Sequence, residues 1–373
     1  KQDDKFGDFA IGIKIGLACG EVEWGIVGNP RTQQSFYFRG PAIDRCAEGQ
    51  LKAGQQEIVL TENLRKRLSQ DYVLLPKAEH YYVLRIDTAA LQEQDEPVAV
   101  TSPELVEQVL QKFLPDSVID FTGQGEFRTV VTIFISFLGI ENHEQLDRFA
   151  TSILNEISSF SGYFKEIEFG DKGGVMVAFF GAPVSFENNI ERALEFVAAV
   201  QEELLRVQWE GMSYRIGMTS GVAYTGIVGG EERCQYAAVG NRVNLAARLM
   251  TFAEWGEILV DEEVQKSRQF KFKHRGNIQY KGISGDIPTY KLEGRNVRSK
   301  TSFSGEMIGR EEELEKLTKF SLPIFDTKTA GIAYIYGEAG IGKSRLAYEL
   351  RRRLQMRQPI NWYTCQADKK KKK

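Results

Sequence analysis

The chain contains an internal repeat, and this repeat limits its architecture more than any local propensity does. IGLACGEVEWGIVG (residues 15–28) matches IGMTSGVAYTGIVG (216–229). The match continues with FYFRGPAID (36–44) against YAAVGNRVN (236–244) and with QEIVLTENL (56–64) against GEILVDEEV (256–264). We therefore expect two related units within the 373 residues.

Short apolar runs alternate with turn residues in each repeat, which is typical of an α/β unit. Each repeat is predicted to form a strand, a Gly-rich turn, a second strand, a helix that begins near Gly40 or Gly240, and a buried strand. Upstream of the second repeat, the pattern predicts a strand at 129–137, two amphipathic helices and a hairpin across GDKGG (170–174). Few residues precede the first repeat, so its N-terminal half is expected to be missing.

The composition excludes several classes of function. Lys and Arg number 48 and Asp and Glu 51, so the net charge of −3 gives no electrostatic reason to expect nucleic-acid binding. The four cysteines and three histidines form no spaced metal-binding pattern and fit a reducing, cytoplasmic location. The longest apolar stretch, 130–140, is much shorter than the roughly 20 residues of a membrane-spanning helix, so no span is expected.

The most specific short motif is GEAGIGKS (337–344), which fits the phosphate-binding pattern GxxxxGK[ST]. An apolar run at 332–336, predicted to be a strand, precedes it, and a predicted helix at 345–354 follows it. Three glycines would let backbone amides wrap a phosphate, a lysine would neutralise the phosphate oxygens, and a hydroxyl would hold Mg²⁺. These residues are Gly337, Gly340, Gly342, Lys343 and Ser344. A fortuitous Gly-rich turn is the alternative.

Asn244 and Arg248 are four residues apart on the helix predicted after Gly240, so both project from one face. Alone, such a pair is more typical of a solvated polar stripe. Its surroundings change this interpretation, because GNRVNLAAR (240–248) follows QYAAV (235–239) and SGVAYTGIVG (220–229).

With these motifs the chain resembles the class III nucleotide cyclases. It is most similar to soluble members in which tandem cyclase domains precede a P-loop ATPase, the architecture of the bicarbonate-responsive soluble adenylyl cyclases. Three further segments support the resemblance: GEFRTVVTIFISF (125–137), GDKGGVMVAFFGAP (170–183) and KGISGDIPTYKL (281–292).

The resemblance implies an α/β (α+β) fold with tandem ferredoxin-like cyclase homology domains, the first truncated, followed by the start of a P-loop NTPase domain. The implied boundaries are 1–97 for the C-terminal half of the first cyclase domain and 98–125 for a linker with a helix. A complete second cyclase domain would cover 126–294, and the N-terminal part of the NTPase domain would cover 302–373.

In that family the active site lies between the two cyclase domains and converts ATP into cyclic AMP and pyrophosphate with the help of two metal ions. The resemblance thus implies ATP as substrate, Mg²⁺ or Mn²⁺ as cofactor, pairing of the two cyclase domains and a possible bicarbonate response. Asn244 would orient the ribose, and Arg248 would stabilise negative charge on the α-phosphate. Lys172 and Ala237 would line the base pocket, where an ammonium favours adenine because adenine N1 accepts a hydrogen bond.

The metal-binding pattern of the family is incomplete in this chain. Of the two aspartate positions, one is Ser136 and the other Asp171, so the complementary aspartates are expected in the missing half of the first domain. Asp44 and Glu48 occupy the helix positions of the catalytic pair in the first repeat. We therefore expect an adenylate cyclase that is inactive as this fragment. Two alternatives stay open: a non-catalytic nucleotide-sensing module that regulates a signalling ATPase, and a signalling NTPase of which this chain is the front part.

Overall fold

The computed structural model describes residues 2–3, 7–8, 12–68, 72–85, 107–121, 123, 125–170, 173–207, 211–230, 234–296, 307–326, 328–337, 341–358, 360 and 362. The chain divides into two compact units, Lys1–Asn296 and Val297–Lys373. Within the described ranges, no helix is both long enough and apolar enough to cross a membrane. The predicted mixture of helices and sheets is confirmed.

The first repeat (residues 15–85) forms a four-stranded sheet, a separate hairpin and two helices. A short ribbon of β1 (Gln2–Asp3) and β2 (Gly7–Asp8) precedes it. Its own elements are β3 (Ile15–Leu17), β4 (Glu23–Asn29), β5 (Gln33–Arg39), α1 (Pro41–Lys52), β6 (Ile58–Thr61), α2 (Glu62–Arg65), β7 (Val73–Ala78) and β8 (Tyr81–Arg85). The sheet order is β3-β6-β8-β7, with β3 and β6 parallel, while β4 and β5 form the antiparallel hairpin.

A leading segment (residues 126–207) precedes the second repeat, after two short helices, α3 (Glu107–Phe113) and α4 (Asp116–Ile119). It consists of β9 (Glu126–Leu138), α5 (His143–Ser159), β10 (Tyr163–Gly170), β11 (Gly173–Phe180) and α6 (Asn189–Val207). Both predicted amphipathic helices and the predicted hairpin are present. The apolar residues of α5 at three- and four-residue steps are buried in the main core, which follows from the helical period.

The second repeat (residues 213–295) completes the large sheet. Its elements are β12 (Ser213–Gly229), β13 (Cys234–Val239), α7 (Asn241–Phe252), β14 (Ile258–Val260), α8 (Glu262–Gln265), β15 (Phe270–Gln279) and β16 (Asp286–Arg295). The strand order is β10-β11-β9-β12-β14-β16-β15, and β13 pairs with β12.

The order of elements in the second repeat reproduces that of the first. The parallel pair β3 and β6 has the register Ile15 to Ile58, and the pair β12 and β14 has the register Ile216 to Ile258. One prediction was wrong: the Gly-rich turn expected in both repeats separates β3 from β4, but β12 continues through the equivalent positions without a break. The reason is that β9 pairs with β12 from Ser213 to Thr225 and extends its hydrogen-bond ladder across them.

One glycine in each repeat has a packing role. A Cβ atom on Gly217 of β12 would collide with the backbone of Ala246 and Met250 in α7, and a Cβ atom on Gly16 of β3 would collide with the backbone of Cys46 and Gln50 in α1. Only glycine permits this close approach of helix and strand. The repeated Ile-Gly pair in the sequence is therefore explained by the contact of α7, and of α1, with its strand.

The second unit contains α9 (Glu311–Ser321), a 3₁₀ turn (Leu322–Asp326) and α10 (Lys343–Arg357). Leu314 of α9 packs against Leu346, Leu350 and Leu354 of α10. The helix predicted after the phosphate-binding motif is confirmed, but the strand predicted at 332–336 was wrong. Residues 331–337 pair with no strand, and Tyr334 is 89% exposed. A strand needs a neighbour for its backbone groups, and the described residues of this unit include none.

Candidate active site

Asn244 and Arg248 lie on the exposed face of α7, one helical turn apart. The opposite face of the helix is buried through Leu245, Ala246 and Leu249, and it rests on β12 at Gly217. Neither polar side chain forms a hydrogen bond within the described part of the chain. The pair is therefore held on a fixed helix and free to contact a ligand.

The expected base-pocket residues are only partly described. Ala237 lies on β13, opposite Gly226 of β12, and is 4% exposed. Lys172 lies outside the described residues, as does Asp171, the remaining metal-binding candidate. The predictions for these two residues are therefore not tested.

The described residues do not fit a two-metal site. Ser136, at one aspartate position of the family pattern, is fully buried on β9 between Val175 of β11 and Arg215 of β12. Across the described ranges, no three or more His, Cys, Asp or Glu side chains cluster in a way that could hold a metal ion. The divalent ions that the resemblance implies would therefore need ligands from outside the described residues.

An acidic cleft of about 520 Å³ lies between the first repeat and the leading segment. From the first repeat, Asp44 and Glu48 of α1 line it, together with Glu23 and Arg39 of the hairpin. Phe137 to Glu141 and the ends of β10 and β11 form the other wall. The cleft thus places α1 opposite the β10–β11 hairpin.

Hydrogen bonds already engage Arg39, the cation among the described residues that line this cleft. Arg39 donates to Glu23 Oε2 at 3.0 Å and to the carbonyl oxygens of Ile140 at 3.2 Å and Glu141 at 3.1 Å. Tyr37 donates to Glu23 Oε1 at 2.6 Å. The hydrogen bonds from Tyr37 and then Arg39 lower the pKa of Glu23, so this carboxylate is ionised at neutral pH. With Arg39 matched by Glu23, Asp44 and Glu48 leave the cleft acidic.

Tyr37 also joins the first repeat to the leading segment. Its hydroxyl lies 2.9 Å from His143 Nδ1 at the start of α5, and its ring belongs to the same buried core as α5. Burial and the hydrogen bond to Glu23 raise the pKa of Tyr37 to about 12, so the phenol stays protonated. No local sequence pattern predicts this junction, because its two residues lie 106 positions apart.

A half-buried ion pair beside the candidate active site was also missed. Arg242, on the first turn of α7, donates to Asp261 Oδ2 at 3.2 Å. A signal for Asp261 was available, because an aspartate between the buried strand ILV and a helix is typical of an N-cap.

The phosphate-binding motif lies in the second unit. Gly342 adopts the left-handed conformation with φ +97°, and α10 begins at the next residue. Lys343 Nζ donates to the carbonyl oxygen of Gly337 at 2.8 Å, so the lysine joins the two ends of the loop. Ser344 is exposed, and Gly340 lies outside the described residues.

Comparison with known families agrees with the geometry of α7. Residues 170–294 match the family model of the adenylate and guanylate cyclase catalytic domain. The match covers about a third of the chain. Asn244 and Arg248 both lie inside the match, which also includes β11, α6 and almost all of the second repeat.

The similar curated proteins include adenylate cyclases. Adenylate cyclase type 10 of Rattus norvegicus is 22% identical over 396 residues, which cover 91% of this chain and 24% of that protein. Adenylate cyclase type 10 of Homo sapiens is 22% identical over 403 residues, with the same two shares. The chain therefore spans about a quarter of the length of these relatives. The crystal structure of the adenylyl cyclase CyaB from P. aeruginosa is 22% identical and superposes with a TM-score of 0.41 over 50% of this chain and 100% of that one.

Proposed function

We propose that the second repeat and its leading segment supply the ribose- and phosphate-binding half of a class III cyclase active site, which converts ATP into cyclic AMP and pyrophosphate in the intact protein. We also propose that the two repeats belong to tandem cyclase homology domains. The observation that carries the proposal is the exposed pair Asn244 and Arg248 on α7, inside the segment that matches the cyclase model.

The proposed reaction is an in-line displacement at the α-phosphorus. The bond between the ribose 3′-oxygen and the α-phosphorus forms, the bond to the β-phosphate oxygen breaks, and pyrophosphate leaves while the 3′-hydroxyl proton passes to solvent. Asn244 donates to the ribose and fixes the direction of attack. Arg248 stabilises the negative charge that develops on the α-phosphate oxygens. Both groups act from a helix that is already folded, so little reorganisation is needed during the reaction.

Cyclic AMP formation by the intact protein tests this assignment. Asn244→Ala and Arg248→Ala are each expected to lower kcat by about a hundredfold to a thousandfold, because each removes a preorganised contact to the transition state. KM is expected to change much less. Arg206→Ala, which removes an exposed arginine from α6, is the control and should keep full activity.

Two outcomes would contradict the proposal. Full activity in both active-site variants would remove α7 from the catalytic centre. An intact protein that binds ATP but makes no cyclic AMP would instead favour the nucleotide-sensing module that regulates a signalling ATPase.

The base preference proposed for the intact protein is adenine over guanine. Lys172 lies in the sequence between Gly170 and Gly173, which line the cleft opposite α1 rather than α7, so Lys172 is not expected to read a base held at α7 of the same chain. A bicarbonate response has weaker support. Among the described residues of the acidic cleft, Asp44 and Glu48 repel an anion, and Arg39 is already paired with Glu23.

We further propose that the loop before α10 binds the phosphates of a nucleotide. Lys343 donates a hydrogen bond to the carbonyl oxygen of Gly337. It would break this bond to contact the β- and γ-phosphates, while Ser344 would hold Mg²⁺. The start of α10 would supply backbone amides to the same anion.

A further inference from the structure

The first turn of α7 lacks a side-chain cap. Gly240 precedes the helix and offers no side chain to its free amides. Two other contacts hold this turn: Thr219 Oγ1 donates to the carbonyl oxygen of Arg242 at 2.8 Å, and the guanidinium of Arg242 donates to Asp261. Both contacts connect α7 to groups outside the helix, Thr219 and Asp261, and together they form the anchor of α7.

Asp261 is the centre of this anchor. It is 1% exposed, and besides Arg242 it accepts from the backbone amides of Ser220 at 3.3 Å and Val264 at 3.1 Å. One carboxylate thus connects the middle of β12 at Ser220, the first turn of α7 and the start of α8. A buried carboxylate is stable only with such partners, and removing one of them leaves an uncompensated charge.

The stem of Arg242 lies directly over Gly221 on β12. A Cβ atom at Gly221 would lie 2.6 Å from Cγ of Arg242 and 3.1 Å from its Cδ. The arginine therefore reaches Asp261 by passing over the glycine, and a side chain at position 221 would collide with it.

The first repeat provides an internal comparison. Its equivalent positions hold Ala42 and Thr61, so the ion pair is absent there, and the buried Thr61 Oγ1 has no hydrogen-bond partner in the described residues. The same repeat has Asp44 and Glu48 where the second has its amide and guanidinium pair. The anchor thus occurs in the repeat that retains the proposed catalytic side chains.

We propose that Asp261, acting through Arg242, is a positioning residue that holds the first turn of α7, and with it Asn244, in the orientation that catalysis needs. The inference rests on the function proposed above, since the role assigned to this turn is ribose binding. Asp261 itself lies beneath the helix and does not contact the nucleotide.

Kinetics of the intact protein provide the first test. Asp261→Asn and Arg242→Met are each expected to lower kcat about tenfold with KM within twofold, and Arg242→Lys should recover part of the loss. The double variant should be no slower than either single variant, because both changes break one contact. The control is Glu263→Gln, which breaks an exposed ion pair with Lys266 on the same short helix and should keep full activity.

Hydrogen–deuterium exchange of the amides of residues 244–248 provides a second test that needs no activity. Asp261→Asn and Arg242→Met should speed exchange there several-fold, and Glu263→Gln should not. Unchanged exchange and kcat in both variants would overturn the inference, as would equal losses in Glu263→Gln. If the intact protein makes no cyclic AMP, the proposed function fails, whereas faster exchange in the two variants would still support the positioning role. Arg242 is 44% exposed, so its variants remain informative even if Asp261→Asn does not fold.

Discussion

At the scale of single residues, Asp261 shows how burial sets the charge of a carboxyl group. Desolvation raises its pKa to about 6, and the hydrogen bonds from Val264 and Ser220 and the charge of Arg242 only partly offset this effect. Glu263 raises the pKa further by repulsion, while Lys266, the residue that follows α8, attracts the carboxylate. The group is therefore ionised at neutral pH but close to its titration range.

This pKa predicts how stability depends on pH. The folded carboxyl keeps its proton up to about pH 6, whereas an unfolded aspartate releases it near pH 3.8, so the folded state binds more protons between these values. The free energy of unfolding should therefore fall as pH rises through this window. Relative to Asp261→Asn, the wild-type chain should lose about 2 kcal/mol between pH 4 and pH 7.

Urea unfolding of both proteins at the two pH values measures this difference. Effects of other titrating groups cancel because they are shared by the two proteins. A difference that is constant with pH, or that grows in favour of the wild type as pH rises, would show that Asp261 is ionised at low pH in the folded state.

Residue spacing predicted part of the candidate site correctly. The four-residue step between Asn244 and Arg248 was sufficient to place both on one face of α7, because helix geometry is local. The ion pair of Arg242 with Asp261 beside them was not predictable in this way. Arg242 and Asp261 meet only because β12 and β14 are parallel neighbours, and this pairing is a tertiary fact.

At the scale of elements, the sequence patterns predicted helices better than strands. The amphipathic patterns of α5 and α6 predicted both helices, since a helix satisfies its own backbone. The strand expected at 332–336 failed because its hydrogen bonds depend on neighbours that the described residues do not provide. The sequence also failed to predict that β12 continues without a break. This continuity depends on hydrogen bonds to β9, which no local pattern reveals.

The loop before α10 gives a prediction at this scale. Lys343→Ala should weaken binding of a fluorescent ATP analogue at least tenfold in the intact protein, because the lysine is the charged group of the loop. Equilibrium titration measures the affinity. Lys316→Ala, on α9 of the same unit, is the matched control and should bind normally. If the number of bound nucleotides and their affinities both stay unchanged without Lys343, the loop is a structural turn.

At the scale of the whole molecule, the position of the acidic cleft predicts whether the isolated 373-residue chain is active. The β10–β11 hairpin faces α1, and the described residues include no second hairpin of this kind opposite α7. The purified 373-residue chain is therefore expected to make no measurable cyclic AMP from ATP with either Mg²⁺ or Mn²⁺.

An assay over a range of protein concentrations checks this expectation. Activity that rises with the square of the concentration and is lost in Asp171→Ala would indicate that two copies complete each other's sites. Robust turnover at low concentration would contradict the expectation and would place all catalytic groups within one chain.

The different charges on α1 and α7 also predict the stoichiometry of the proposed reaction. Two related helices would give a symmetric pair of centres if both carried an amide and a guanidinium, but α1 carries the carboxylates Asp44 and Glu48, which repel a triphosphate. An intact molecule would then turn over one nucleotide at a time, and its rate would follow a simple hyperbola in ATP concentration with a Hill coefficient of one. The duplicated fold provides two related helices, and of these two only α7 carries a guanidinium at the position equivalent to Glu48.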